Sequence, residues 1–136
     1  MRYFKWVWQF PQHLLALLLL KVLKPTRMVN GNSKIIYWFF VPQGKFSKFI
    51  SGVSLGQYII LKTHIETTIR HEYGHSVQSL WLGPLYLIFV GIPSAVFNNL
   101  WDRWFHKKWD MTKRIQWYYN RWPEKQADKL GGVKRF

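Results

Sequence analysis

The sequence has no cysteine among its 136 residues. Disulfide bonds and cysteine-ligated metals are therefore excluded. Acidic residues are also scarce, with 6 Asp and Glu against 20 Lys and Arg and a net charge of +14. Such an excess predicts attraction to an anionic partner, either lipid headgroups or nucleic acid.

Long unbroken hydrophobic runs are missing as well. The apolar stretch at residues 14–23 is about half the ~20 residues that a membrane-spanning helix needs. No A-x-A-like cleavage site follows it, so we expect a retained N-terminal helix at about residues 11–24, either in the core or in a membrane interface. The uncharged run at residues 80–97 contains Gly83-Pro84, Gly91 and Pro93. These residues are expected to break it into an interfacial or half-inserted segment, with a buried helix as the alternative.

The aromatic residues help to choose the anionic partner. Nine Trp beside many Lys and Arg suit a membrane interface, where an apolar ring meets water at one edge. Nucleic-acid-binding proteins also stack aromatic rings, but the chain carries no helix-turn-helix, zinc-finger or stacking-sheet signature. We therefore expect an anionic membrane lipid as partner, no nucleic acid, and a membrane-associated location, peripheral or partly inserted.

The length suits a single domain spanning residues 1–136, and its middle is predicted to be a sheet. Asn30-Gly31 is typical of a type I′ hairpin turn, whose two central residues need positive φ. Residues 34–41 (KIIYWFFV) are rich in β-branched and aromatic residues and are predicted to form a strand, and residues 52–61 to contain a second one. The expected fold class is α+β with a small antiparallel sheet.

From about residue 63 the apolar pattern becomes helical. A stripe of apolar residues is expected to form the packed face of this helix: Ile65, Ile69, Tyr73, Val77 and Leu80. His71 and His75 fall on the opposite side, where their imidazoles are presented together.

The sequence RHEYGHSVQS, residues 70–79, contains the pattern HExxH. His71 and His75 lie about one helical turn apart, so both imidazoles can reach one Zn²⁺ at about 2.0–2.1 Å. Glu72 is turned about 100° away from them, where it can accept a proton from a metal-bound water. The alternative is a chance pattern on the surface of a basic helix.

A third ligand is expected near the C-terminus, because no further histidine follows within HSVQSLWLGPL. Pro123 and Gly131-Gly132 are typical of a helix start and a helix stop. On that helix Glu124 and Asp128 share a face. One carboxylate could bind the metal, and the other could hold the outward N–H of a ligating histidine.

HEYGH followed by EKQAD resembles the gluzincin metallopeptidases, whose pattern is HExxH on one helix and ExxxD on a later one. PEKQADKLGG is similar to the Glu-x-x-Ala-Asp stretch of CAAX-prenyl-protease and HtpX-like membrane peptidases, whose several long transmembrane helices this chain lacks. The resemblance covers roughly residues 52–132. It implies a zinc-dependent hydrolase of a peptide or protein substrate, with a small sheet packed on an active-site helix and a glutamate-bearing helix. The implied zinc ligands are His71, His75 and Glu124, with Glu72 as general base and Asp128 supporting a ligating imidazole.

Two further expectations concern the site. Gly74, between the histidines, would let the Glu124 helix approach closely, unless it is simply a tolerated helix glycine. Peptide hydrolysis also needs a donor for the oxyanion. Tyr119 is the first candidate, although packing alone would also explain it, and the alternatives are Tyr118, His106 and Arg121.

A different class of function remains open. The chain could be a non-catalytic basic membrane-surface protein with a structural or vestigial zinc site.

Overall fold

The computed structural model describes residues 2–23, 27–31, 34–38, 52–61 and 65–135. The strands in this part of the chain are β1 (Arg27–Gly31), β2 (Lys34–Trp38), β3 (Gly52–Leu55) and β4 (Tyr58–Leu61). The α-helices are α1 (Arg2–Trp8), α2 (Phe10–Leu23), α3 (Glu66–Leu82), α4 (Trp101–Phe105), α5 (Met111–Tyr119) and α6 (Glu124–Gly131). The fold class is α+β, as the sequence predicts.

The four strands form one mixed sheet in the order β1-β2-β4-β3. β1/β2 and β3/β4 are antiparallel, but β2 and β4 are parallel, so the prediction of an antiparallel sheet is wrong for the central pair. A parallel pair needs a crossover of about a dozen residues or more, and residues 39–57, which include β3, supply that length. β1 and β2 remain paired through Gly31 and Lys34. Asn30 and Gly31 therefore lie within β1 and not in the turn that the sequence predicts.

β3 and β4 place an edge strand beside the helix that carries the histidines. Gly56 begins their two-residue turn with a φ of 68°, a conformation that favours glycine. Ile59, Ile60 and Leu61 of β4 are buried at the centre of the hydrophobic core. β3 lies at the edge of the sheet and contacts α3.

α3 and α6 pack closely because each has a glycine at their contact. A Cβ atom on Gly74 would lie 1.8 Å from the carbonyl oxygen of Ala127, and one on Gly131 would lie 1.9 Å from that of Arg70. Real Cβ atoms essentially never come so near, so the expected close approach at Gly74 is confirmed. α6 ends as predicted: Gly132 has a φ of 73° and donates its N–H to the last carbonyls of the helix.

The burial of α3 is the reverse of what its apolar stripe predicts. Ile65 is exposed and the other four stripe residues are only half-buried, whereas the opposite polar face is buried. The amphipathic rule places apolar residues inside, but here hydrogen bonds to α6 hold the polar face inward. The buried polar residues are His71, Glu72, His75, Ser76, Gln78 and Ser79.

The apolar run after α3 is helical throughout. Gly83–Leu85 forms a 3₁₀ turn, and Leu87–Gly91 with Pro93–Leu100 forms a π-helical segment that leads into α4. Gly91 and Pro93 lie inside this helical stretch, so the expected breaks occur only at Gly83-Pro84. None of the helices in the described ranges is both long and apolar enough to cross a bilayer.

Candidate metal centre

Three potential ligand atoms from α3 and α6 converge at one point. Nε2 of His71 lies 2.9 Å from Oε2 of Glu124, Nε2 of His75 lies 3.0 Å from the same oxygen, and the two nitrogens are 3.1 Å apart. All three residues are buried. The i,i+4 spacing on α3 places the imidazoles side by side, and the close approach of α6 brings the first residue of that helix onto them.

The far nitrogens of both imidazoles are held by other side chains. Nδ1 of His71 donates to Oδ1 of Asp128 at 2.7 Å, and Nδ1 of His75 donates to Oε1 of Gln78 at 2.8 Å. Gln78 is itself fixed, because its amide nitrogen donates to the carbonyl of Pro123 and to Oε1 of Gln126. With the proton on Nδ1, each Nε2 carries a lone pair that points towards Glu124.

Two nitrogen lone pairs and a carboxylate oxygen at about 3 Å repel one another unless a cation lies among them. Burial by itself would lower the pKa of His71, but the hydrogen-bonded carboxylates of Asp128 and Glu124 raise it to about 9. The pKa of Glu124 is lowered, because the bonds from the two histidines outweigh its burial. The surroundings therefore favour a positive charge at this point, whether a proton or a metal ion.

The geometry fits a metal ion. Ligands at about 2.0–2.1 Å in a tetrahedral arrangement are about 3.3 Å apart, close to the three separations of 2.9, 3.0 and 3.1 Å. The second carboxylate oxygen of Glu124 accepts a hydrogen bond from Ser94 of the π-helical segment. That bond leaves Oε2 directed at the imidazoles. The buried group of His71, His75 and Glu124 could thus hold a metal ion.

Glu72 lies beside this group in a different environment. Its side chain lines a cavity of about 170 Å³ together with His71 and His75. Burial raises the pKa of Glu72, although His75 and His71 lower it in part. Within the described ranges, no donor lies within hydrogen-bonding distance of this carboxylate. Glu72 is thus available to exchange a proton with a molecule in the cavity.

The cavity also receives the two tyrosines that end α5. The ring of Tyr119 stands edge-on to that of His71 at 5.2 Å, and Tyr118 lines the cavity next to it. Burial raises the pKa of Tyr119 to about 12 although Arg135 opposes the shift, so its hydroxyl is protonated at neutral pH and can donate.

Two other donor candidates lie away from this cavity. His106 is buried, bonds to Asp102 at 3.0 Å and stacks on the ring of Trp109. Arg121 donates to Oδ1 of Asn98 at 2.8 Å and lies over the ring of Trp117. The described residues that line the cavity include neither of them.

Three residues of the site are absent from the sequence-based set. Gln78 could have been found as a polar residue one turn beyond His75. Ser94 lies within an apolar run, and Arg135, which binds both oxygens of Asp128 at 2.6 and 3.1 Å, follows the helix stop. Neither of these two carries a sequence signal, because only folding brings them to their partners.

Comparison of the chain with protein-family models, curated proteins and solved structures finds no match. The gluzincin resemblance therefore stays a prediction from two motifs. The contacts of the side chains themselves must support any function assigned to the site.

Proposed function

We propose that this protein is a zinc-dependent peptide-bond hydrolase of the gluzincin type, associated with a membrane. The convergence of two imidazole nitrogens and a carboxylate oxygen, each backed by a further side chain, is the observation that carries the proposal. Two histidines and a glutamate are a ligand set used by catalytic zinc, which keeps a fourth position open for water or substrate.

A zinc ion held by His71, His75 and Glu124 would lower the pKa of water and polarise the scissile carbonyl. Glu72 is the general base in this proposal: it takes a proton from the attacking water and passes it to the departing amine. Its buried carboxylate, which interacts with both histidines and lines the same cavity, supports this role. Tyr119 is the proposed hydrogen-bond donor to the developing oxyanion.

The substrate is proposed to lie extended along β3. This strand is at the edge of the sheet and lines the cavity together with Glu72, and backbone pairing can orient a peptide without requiring a particular sequence.

Metal content and hydrolysis should be measured on the full chain and on two matched variants. Glu72→Gln removes the proposed base, and Glu66→Gln changes an exposed glutamate of α3 whose partner is Arg70. Hydrolysis is followed with casein and with a quenched fluorescent peptide library. We expect stoichiometric zinc in all three proteins and hydrolysis in all except Glu72→Gln.

Equal activity of Glu72→Gln and the unmodified protein would remove the general-base role. Zinc without hydrolysis in every protein would instead favour the non-catalytic alternative with a structural site. Absence of stoichiometric metal would contradict both.

A further inference from the structure

Buried polar side chains connect α2 and the residue before it to the rest of the protein. Nε2 of Gln12 donates to Oγ of Ser79 at 3.0 Å and to the carbonyl of Gly83 at 2.7 Å, and Ser79 donates to Oε1 of Gln9. His13 bonds the carbonyl of Trp6 at 2.8 Å and accepts the backbone N–H of Gln57 at 3.0 Å. α2 thus uses its polar residues to pack against the rest of the protein.

The leucines of α2 consequently face outward. Leu14 and Leu18 are 55% and 57% exposed and Val22 is 65% exposed, whereas Gln12 and His13 are fully buried. A surface helix of a water-soluble protein shows the opposite arrangement. The outer face of α2 is therefore suited to an apolar environment.

The π-helical segment also buries polar side chains and exposes apolar ones. Asn98 is buried and donates to the carbonyl of Trp122 at 2.9 Å, and Ser94 points inward to Glu124. The outer side of the segment is apolar and exposed: Ile88, Phe89, Ile92, Val96 and Phe97.

Trp8, at the end of α1, packs on the 3₁₀ turn that joins α3 to the π-helical segment. Its indole nitrogen donates to the carbonyl of Leu80 at 2.8 Å, and a Cβ on Gly83 would lie 2.2 Å from its ring. Trp81 and Leu85, on either side of Gly83, are exposed. Exposed apolar residues thus continue from α1 and α2 through this 3₁₀ turn into the π-helical segment, and we call them the apolar face.

The segments that carry the apolar face have positive charges and no negative ones. Lys5 and Lys21 are exposed on α1 and α2. The sequence has no acidic residue in residues 1–65 and none in residues 73–101. A lipid bilayer with anionic headgroups matches both properties of this surface, its apolar side chains and its positive charges.

We propose that the apolar face is a docking surface for an anionic bilayer, with the outer sides of α2 and the π-helical segment in the interface. This identifies the surface behind the membrane association included in the proposed function, and it does not depend on hydrolysis.

The test is flotation of the full chain with vesicles of phosphatidylcholine, with and without phosphatidylserine. Leu14→Ser/Leu18→Ser and Ile88→Ser/Ile92→Ser each alter one half of the apolar face. Met111→Ser/Ile115→Ser is the matched control, because these exposed residues lie on α5, outside the face. Circular dichroism and thermal melting check that every variant is folded.

We expect tight binding to vesicles that contain phosphatidylserine and weaker binding to phosphatidylcholine alone. Each double variant of the apolar face should bind at least about tenfold more weakly, since burying a single leucine side chain contributes more than the ~1.4 kcal/mol to which tenfold corresponds. The control should bind like the unmodified protein.

Unchanged binding in both double variants of the face would overturn the proposal, as would equal binding to the two kinds of vesicle. A dimer that the face variants dissociate, without vesicle binding by any protein, would assign the face to a second copy instead. Glu72→Gln should float like the unmodified protein, so a failure of catalysis and a failure of docking can be told apart.

Discussion

The carboxylate of Asp128 lies 2.7 Å from Nδ1 of His71, on the side of the imidazole away from the ligand cluster. Glu124, one turn earlier on α6, instead lies 2.9 Å from Nε2 of the same ring. The two carboxylates thus contact opposite edges of His71. Glu124 is in position to bind a metal ion directly, whereas Asp128 fixes the ring orientation and the position of the ring proton.

This arrangement predicts unequal effects of removing the two carboxylates. Glu124→Ala should nearly eliminate zinc retention, because it removes one of the three proposed ligand atoms. Asp128→Ala should weaken zinc binding by about 10–100-fold without eliminating it. Zinc affinity is measured for both variants in one series of chelator competitions. If Asp128→Ala lost zinc and Glu124→Ala kept it, the ligand assignment would be reversed.

Ser94 is predicted to set the orientation of Glu124. Its hydroxyl donates to Oε1 of Glu124, so Ser94→Ala frees that carboxylate to rotate and should lower zinc affinity about tenfold. Ser94→Thr keeps a hydroxyl and should restore part of the affinity. Ser76→Ala is the control, since among the described residues that hydroxyl bonds the carbonyl of Tyr73 on its own helix and no group of α6. Equal affinity of Ser94→Ala and Ser76→Ala would exclude the positioning role.

The glycine contact between α3 and α6 gives a stability prediction. Alanine at Gly74 meets the backbone of Ala127 at 1.8 Å, and this contact can be relieved only by moving α6. We expect a loss of about 1–3 kcal/mol in the free energy of unfolding, together with weaker zinc binding. Gly91→Ala is the matched control, because its nearest neighbour is a leucine side chain at 3.4 Å; the gain in helix propensity, up to about 1 kcal/mol, should dominate there. Urea titrations of both variants measure the free energy of unfolding, and equal midpoints would contradict the packing argument.

The helices that carry the cluster could be predicted from the sequence because their signals are local. HExxH fixes the spacing of His71 and His75, Pro123 and Gly132 bound α6, and Gly74 indicates a close helix contact. Each of these inferences depends on residues within a few turns of one another. The side chains then meet as the two helices pack.

The remaining features depend on partners far away in the chain. β2 pairs in parallel with β4, a strand that β3 separates from it in the sequence, and no pattern within either strand encodes that pairing. Ser94 reaches Glu124 across 30 residues. The apolar stripe of α3 predicted the wrong buried face for a different reason. The amphipathic-helix rule assumes that polar residues face water, whereas on α3 the polar residues form the buried cluster.

Tyr119 gives the last prediction, which rests on the proposed function. Tyr119→Phe keeps the ring that stands against His71 and beneath Arg135 but removes the hydroxyl that would donate to the oxyanion. Zinc affinity and KM should therefore change little, while kcat should fall by about 10²–10³-fold, as when one oxyanion donor is lost elsewhere. Tyr118→Phe serves as the comparison, because Tyr118 lines the same cavity and is the competing candidate. Steady-state kinetics on one peptide substrate separate the two residues. A larger loss of kcat in Tyr118→Phe would transfer the donor role to that residue, and a loss confined to KM in Tyr119→Phe would mean that Tyr119 only positions the substrate.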